Sequence, residues 1–409
     1  METKEIKQIL KETSYVRLGG SENEKKCAQY LADRCADYGL KPVIDPFPIT
    51  MYDIECERLT VNGKSIRCTG YRGSASKTVS GTLCFLESIS AATVRKCKDR
   101  IVLLAKPLGY RFYDQLVKCG AKGFITFGGE LYSNDKDIDV KEIGFTTDGL
   151  ERIPGVHIHI SDALRLSKSV SATAEIELKY NESYGQSRNV WVDLPGTVNE
   201  TIVVSAHYDS TALSVGAFDN MSSCIAMLAL VRHFADRPRR RGIRFLWCGS
   251  EERGLLGSLE YCNRYQGERS DAVLNVNLDM LGAMMGEFTA FSCINEEVVG
   301  FMNSFFKISN FPAAVRYGLR SSDSNSFVYY GIPAISFARF APAGMPKIHS
   351  RYDTEEIVSA KNLAKDIQAI TKITEYFVNE PKYSFSLAIS DKIQKDVGEY
   401  MNRRARAIK

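Results

Sequence analysis

The chain holds five histidines, and two of them follow apolar runs with acids close behind. His207-Tyr208-Asp209 comes straight after TIVVSA. His349-Ser350-Arg351-Tyr352-Asp353 comes after PAISFARF, across a loop. Between them lie Asp219 in VGAFDN, the doublet Glu251-Glu252 behind IRFLWC, and Asp279 at the end of AVLNVNL. Imidazole nitrogen with carboxylate oxygen, and no thiolate, is a donor set suited to Zn²⁺ and related divalent ions. Two histidines and three carboxylates can serve two ions if one carboxylate is shared. Asp209 can accept from the second ring nitrogen of His207 and fix its tautomer; Asp353 has the same opening toward His349. In the doublet, one Glu can ligate while its neighbour takes a proton from metal-bound water. Adjacent acids at a strand end are costly without cations and favourable with them. Glu-Glu also occurs at Glu296-Glu297 and Glu355-Glu356, so the whole set carries the reading, not the doublet.

These residues need elements to bring them together. From about Ser187 onward, strand candidates alternate with helix candidates. The strands are NVWVDL, TIVVSAH, IRFLWC, AVLNVNLD, FTAFSC, AAVRY and PAISFAR; the helices fall at 220–235, 254–265, 295–308, 323–330 and 359–378. That alternation predicts an α/β fold with a mostly parallel mixed sheet flanked by helices. TIVVSA, IRFLW and PAISF are apolar nearly throughout, as central strands covered on both faces must be. In such sheets ligands gather at the carboxyl ends of the strands, which is where the acids and histidines stand. The first 40 residues read as helical, with a capping box at Ser21 and Glu24. Between about Met51 and Tyr180 the texture changes to short strands, among them GTLCFLE, RIVLLAK and VHIHI; YRFYDQLVKCGAKGFITF reads as helix, Gly stop and strand, so the module holds at least one βαβ unit. The expected division is a discontinuous catalytic domain over 1–50 and 185–380, an inserted β-rich domain over 51–184, and a tail over 381–409.

The bulk numbers exclude several classes. A 409-residue chain with 44% hydrophobic and 25% charged residues is ordinary for a globular protein. A net charge of +4 argues against nucleic acid or a membrane surface as partner. No apolar run approaches the ~18–20 residues a membrane helix needs, and METKEIKQILKETS has no signal-peptide pattern. The 11 cysteines are scattered without a C-x-x-C pair, which predicts buried thiols in a reducing, cytoplasmic setting rather than disulfides or a cysteine zinc site. His157 and His159 read as exposed strand histidines, His233 as structural, RPRRRG as a solvated helix end, and Cys248 as core.

HYDS, GAFDN, SEERGLLGS, NLDM and H-S-R-Y-D, in that order, resemble the co-catalytic di-zinc aminopeptidases. That family includes bacterial secreted leucine aminopeptidases, glutamate carboxypeptidase II and, without peptidase activity, the transferrin receptor. The likeness covers about Tyr15–Pro48 and Ser187–Val378, and RIVLLAK with KCGAKGFITF resembles a protease-associated domain inserted in such enzymes. The resemblance implies that His207 and Asp279 hold one metal, Glu252 and His349 the other, and Asp219 bridges both. It implies Glu251 as general base and a cis peptide at Asp219-Asn220. Two departures are visible: the interval from His207 to Asp219 is short, and the family's Ser-Asp-His is Ser322-Asp323-Ser324. Tyr317 and Arg320 are candidates for the oxyanion or substrate.

The implied activity is that of a zinc exopeptidase removing the N-terminal residue of peptides. A metal-bridging hydroxide would be the nucleophile and Glu251 the base, with Asp209 in support. Two Zn²⁺ are expected, or Co²⁺ or Mn²⁺ in their place. Peptides are the expected partners, without nucleic acid or membrane; association into a homo-oligomer stays open. The alternatives are a carboxypeptidase of the same fold using Arg320 or Arg339 for a C-terminal carboxylate, a glutaminyl cyclase-like acyltransferase, and a non-catalytic binding protein.

Overall fold

The computed structural model describes residues 1–88, 90–144, 149–169, 171–265, 271–342, 344–345 and 347–401. The chain folds as two compact units, one of Met1–Ile49 with Gln186–Met401 and one within Thr50–Gly185.

In the first unit, Ala334–Phe340, Ala272–Leu278, Thr201–His207 and Gly242–Cys248 lie side by side and parallel. Glu287–Ser292 runs antiparallel to Ala334–Phe340 and carries Ala314–Tyr317 on its other edge. Residues 190–194 of the long strand Thr173–Leu194 close the opposite side, antiparallel to Gly242–Cys248. The mostly parallel α/β sheet is as expected, and its cause is visible in one strand. Ile243, Phe245 and Trp247 pack into the large core on one face, with helix Ser222–Phe234. Leu246 and Cys248 pack into a second cluster with Trp191, Tyr261 and Phe327. A strand whose alternate residues are all buried must be covered on both sides.

Helices Ser222–Phe234, Leu256–Tyr265, Glu296–Ile308, Ser324–Tyr329 and Ala360–Asn379 fall where the pattern placed them. Two readings change. The segment after Pro381 is more than a tail: Asp391–Met401 is a helix that buries Ile393, Val397 and Met401 against Leu255, Leu259 and Val328. These three residues recur at helical spacing, a signal that the basic RRAR end obscured; RRAR itself lies outside the described residues. RPRRRG is also not simply solvated. Arg241 is 4% exposed and pairs with Glu200 at 2.5 Å, while Arg239 donates to the carbonyls of Phe234 and Ala235 at the helix end. His233 binds Glu375 at 2.6 Å.

The second unit has a run of parallel strands. Thr78–Leu86, Arg100–Leu104, Gly123–Gly128 and Gly155–His159 are consecutive parallel neighbours. Helix Tyr110–Lys118 joins the second to the third, as a βαβ crossover must. His157 and His159 are 5% and 2% exposed, against the expectation of surface histidines. Their strand is central, with Cys68–Arg72 on its other side, so the rings are covered. His157 pairs with Thr126 and His159 with Ser161, each at 2.7 Å.

No helix among the described residues is long and apolar enough to cross a membrane, and all 11 cysteines are free.

Candidate metal centre

The four central strands of the first unit end together, and each hands its chain to a loop bearing a candidate ligand. His207 is the last residue of its strand and is 2% exposed. Its Nε2 lies 3.2 Å from Asp219 Oδ1 and 3.9 Å from Asp279 Oδ1. Asp219 reaches the other way as well: its Oδ2 lies 3.2 Å from His349 Nε2, which is 3.1 Å from Glu252 Oε2. The ligand atoms of His207, Asp219 and Asp279 lie within 4.8 Å of one another; so do those of Asp219, Glu252 and His349, and those of His207, Glu251 and Glu252. Asp219, His207 and Glu252 each stand in two of these groups, and Asp219 alone lies against both histidines.

The backbone around the cluster is held by polar side chains. Asp209 accepts from the amides of Glu251 and Glu252 at 2.9 and 3.1 Å, and its Oδ1 lies 3.5 Å from His207 Nδ1. One carboxylate therefore holds the backbone of the doublet and stands beside the imidazole, whose Nδ1 has no hydrogen-bond partner. Asp353 does not support His349 as expected; it accepts from the amides of Phe218 and Asp219 at 2.7 and 3.1 Å. The short path from Gly216 to Asp219 turns these amides toward it. The Asp219–Asn220 peptide is cis. Asn220 brackets Asp279, donating to Leu278 O and accepting from Met280 N, each at 3.0 Å. Ser250, Met280 and His349 have φ of 54°, 62° and 59°, left-handed values that non-glycine residues adopt mainly where surroundings impose them.

The electrostatics show what the cluster lacks. Burial pushes Glu251 well above the usual carboxylate range, helped by Glu252 and opposed by His207. Burial and the Asp219 charge push Glu252 up to about 7. Burial works against charge on both histidines, yet Glu251 and Asp209 hold His207 well above its ordinary value. Asp219 and Glu252 likewise hold His349 at about 11. Asp219 is buried but kept low by the same two rings. Buried Glu252 Oε1 has no hydrogen-bond partner, and the donors are all nitrogen and carboxylate oxygen. The residues fit divalent ions of the zinc type.

Of the two remaining candidates, Arg320 is at the site. Its Nη1 lies 3.2 Å from Asp279 Oδ2 and donates to Asp279 O. Tyr317 is committed elsewhere: its hydroxyl bonds Ser390 at 2.6 Å, and its ring packs with the C-terminal helix cluster. Three residues near the centre were not singled out from sequence. Arg17 and Glu24 are fully buried; Glu24 had been read only as a helix cap. Asp323 is fully buried, with neither carboxylate oxygen hydrogen-bonded, and burial pushes it up to about 6.

Aminopeptidase YwaD of Bacillus subtilis (strain 168) is 28% identical over 278 residues, which cover 65% of this chain and 58% of YwaD. Leucine aminopeptidase 1 of Paracoccidioides brasiliensis (strain Pb03) is 26% identical over 239 residues, 52% of this chain and 60% of that protein. The chain thus spans less than two thirds of the length of these curated relatives. Among solved structures, a zinc aminopeptidase from Bacillus subtilis superposes with a TM-score of 0.77 at 23% identity, over 95% of this chain and 98% of that one. An aminopeptidase from Aneurinibacillus sp. strain AM-1 gives 0.75 at 20% identity over the same shares. At such identities the structural likeness establishes the fold. Residues 189–374, which contain His207, Asp219, Glu251, Glu252, Asp279 and His349, match the family described as Peptidase family M28.

Proposed function

We propose that the chain is a two-zinc exopeptidase that removes the N-terminal residue of peptides. The observation that carries this is Asp219 standing between two histidines, each with a further acid of its own. His207 and Asp279 would hold one ion and Glu252 and His349 the other, with Asp219 shared. When bound, the ions supply Lewis acidity to the attacking water and the scissile carbonyl. Glu251, whose carboxylate groups with His207 and Glu252, is the acid this assignment leaves free of a metal. It accepts the proton of the attacking water and returns it to the nitrogen of the leaving amine as the C–N bond breaks. Asp209 keeps the Glu251 and Glu252 backbone in place, with its charge beside the His207 ring.

Charge supports the N-terminal polarity. A carboxypeptidase needs a free cation for the C-terminal carboxylate. Arg320 is engaged by Asp279, and Arg339 by Asp366 with its Nε 2.9 Å from Oδ2. A rim rich in acids favours a free α-ammonium instead. The overlapping ligand groups support more than the one zinc of a glutaminyl cyclase-like site, and the full ligand set supports catalysis over binding alone. The unit within Thr50–Gly185 is read as a protease-associated-like domain. The free cysteines support a cytoplasmic setting.

The test is mass spectrometry of a defined peptide mixture after incubation with the zinc-loaded protein. Free and acetylated N-termini, free and amidated C-termini, and N-terminal Gln are all included. Stepwise loss from free N-termini only is the expected result. Loss from C-termini, cyclised Gln, or no change with metal bound would each replace this reading.

A further inference from the structure

The inference rests on the metal-centre reading above and concerns two residues that touch none of its ligands. Arg17 is fully buried, and its guanidinium donates to main-chain carbonyls. Nε bonds Tyr208 O at 2.7 Å and Nη2 bonds Gly216 O at 3.0 Å; Nη1 bonds the carbonyls of Thr13, Tyr15 and Val215. Tyr208 and Gly216 are the two ends of the loop that joins His207 to Asp219. Arg17 N and O also pair with Ser210, in the middle of that loop. A rigid planar fork of five donors can fix carbonyls from both ends at once; a lysine ammonium cannot.

Glu24 does the same for the doublet. Ser21 caps its helix by accepting from Glu24 N, but the Glu24 carboxylate turns inward and leaves the expected capping box half-built. It accepts from Gly20 N at 2.7 Å, Ser187 Oγ at 2.5 Å and Ser250 Oγ at 3.3 Å. Ser250 is the left-handed residue directly before Glu251. The fit is close: a Cβ on Gly249 would stand 2.9 Å from Glu24 Oε1, and one on Gly19 would stand 2.3 Å from Ser250 Oγ.

We propose that Arg17 and Glu24 are positioning residues for the metal centre: from the N-terminal segment they set the spacing of His207 to Asp219 and the direction of Glu251-Glu252. The rival account is packing alone, in which their loss lowers stability and leaves the geometry at the ions unchanged. Arg241 supplies a matched control. It is a buried arginine just before strand Gly242–Cys248, at the end opposite the doublet, held by Glu200 and the carbonyl of Phe377.

The full chain is loaded with Co²⁺, whose visible absorption reports the number and geometry of its ligands. Wild type, Arg17→Lys, Glu24→Gln, Ser250→Ala and Arg241→Lys are compared by that spectrum, by competitive chelator titration, and by melting of the metal-free proteins. Expected for Arg17→Lys and Glu24→Gln is a changed cobalt band and metal affinity weaker by about 10–100-fold, with a smaller effect for Ser250→Ala. Arg241→Lys should melt earlier with spectrum and affinity unchanged. Folded Arg17→Lys and Glu24→Gln proteins that bind cobalt as wild type does would reduce both residues to packing. If Arg17→Lys does not fold, Glu24→Gln and Ser250→Ala decide the matter. A wild-type chain that takes up no cobalt overturns the metal-centre reading and this inference with it, a result distinct from variants that match a competent wild type.

Discussion

The four central parallel strands have two ends, and the two ends are built differently. At the amino ends, buried charges meet partners of opposite sign, although Arg239 Nε and Arg240 Nε lack acceptors. Arg241 meets Glu200, Arg244 meets Asp193 across the strand pair and lies over Trp191, and Thr201 bonds Asp271. At the carboxyl ends, acids crowd together, Glu252 Oε1 and both Asp323 oxygens lack partners, and Ser250, Met280 and His349 take left-handed backbone. Both ends belong to the same strands, so the difference does not come from strand formation. The amino ends follow the rules of stability, while the carboxyl ends break them in one place, and buried unpaired acids persist where a function compensates for their cost.

The strongest way to break this contrast is to remove the shared ligand. Asp219→Asn should lose high-affinity metal binding in both groups and lower kcat/KM by about 10⁴-fold or more, since ion and base act together. Elemental analysis of the purified variant beside wild type checks it; a full metal complement would mean that Asp219 is not shared. Next comes Glu251→Gln, which should keep its metal yet lose about 10²–10⁴-fold in kcat. Wild-type turnover by that variant would remove Glu251 from the role of base.

The opposite end should behave in the opposite way. Arg244→Leu removes a guanidinium that pairs with Asp193 and bonds Tyr261 at 3.1 Å. It should cost about 1–3 kcal/mol of stability and leave kcat of the folded fraction unchanged. Urea melts with activity per folded molecule measure both. A drop in kcat without a drop in stability would erase the distinction between the ends.

What the sequence made legible follows the same divide. The strands and helices of the first unit came from apolar runs such as TIVVSA and IRFLW, because burial on both faces leaves a continuous hydrophobic signature. Most of the acids and histidines were legible because they follow such a run; Asp219, in VGAFDN, instead precedes a helix. What stayed hidden was contact between distant segments. Nothing local to RLGGSENE says that Arg17 will bond the carbonyls of Tyr208 and Gly216, or that Glu24 will turn from its own helix cap toward Ser250. Tyr317 carries a hydroxyl near the right segment, yet its partner Ser390 belongs to a stretch whose helix the basic RRAR end obscures. His157 and His159 looked exposed because alternation cannot tell a central strand from an edge.

The smallest expected effect tests whether the carboxyl end carries its cost in charge. Burial, with the Asp209 charge behind it, lifts Glu24 from the ordinary 4.5 to about 7, while Ser187 and Gly20 pull the other way. Between those values the folded chain binds a proton that the unfolded chain has released, so Glu24 makes stability fall as pH rises. The penalty is absent below about 4.5 and complete above about 7. Glu24→Gln carries no charge at any pH and loses hydrogen-bond quality by a fixed amount. Measured on metal-free protein, the melting temperature of the variant minus that of wild type should therefore climb by a few degrees between pH 5 and pH 8, at roughly 2–4 °C per kcal/mol. A flat difference would mean that the donors from Ser187, Ser250 and Gly20 keep Glu24 ionised throughout. The buried acid would then be a satisfied one, and the contrast between the two ends would rest on the metal ligands and Asp323 alone.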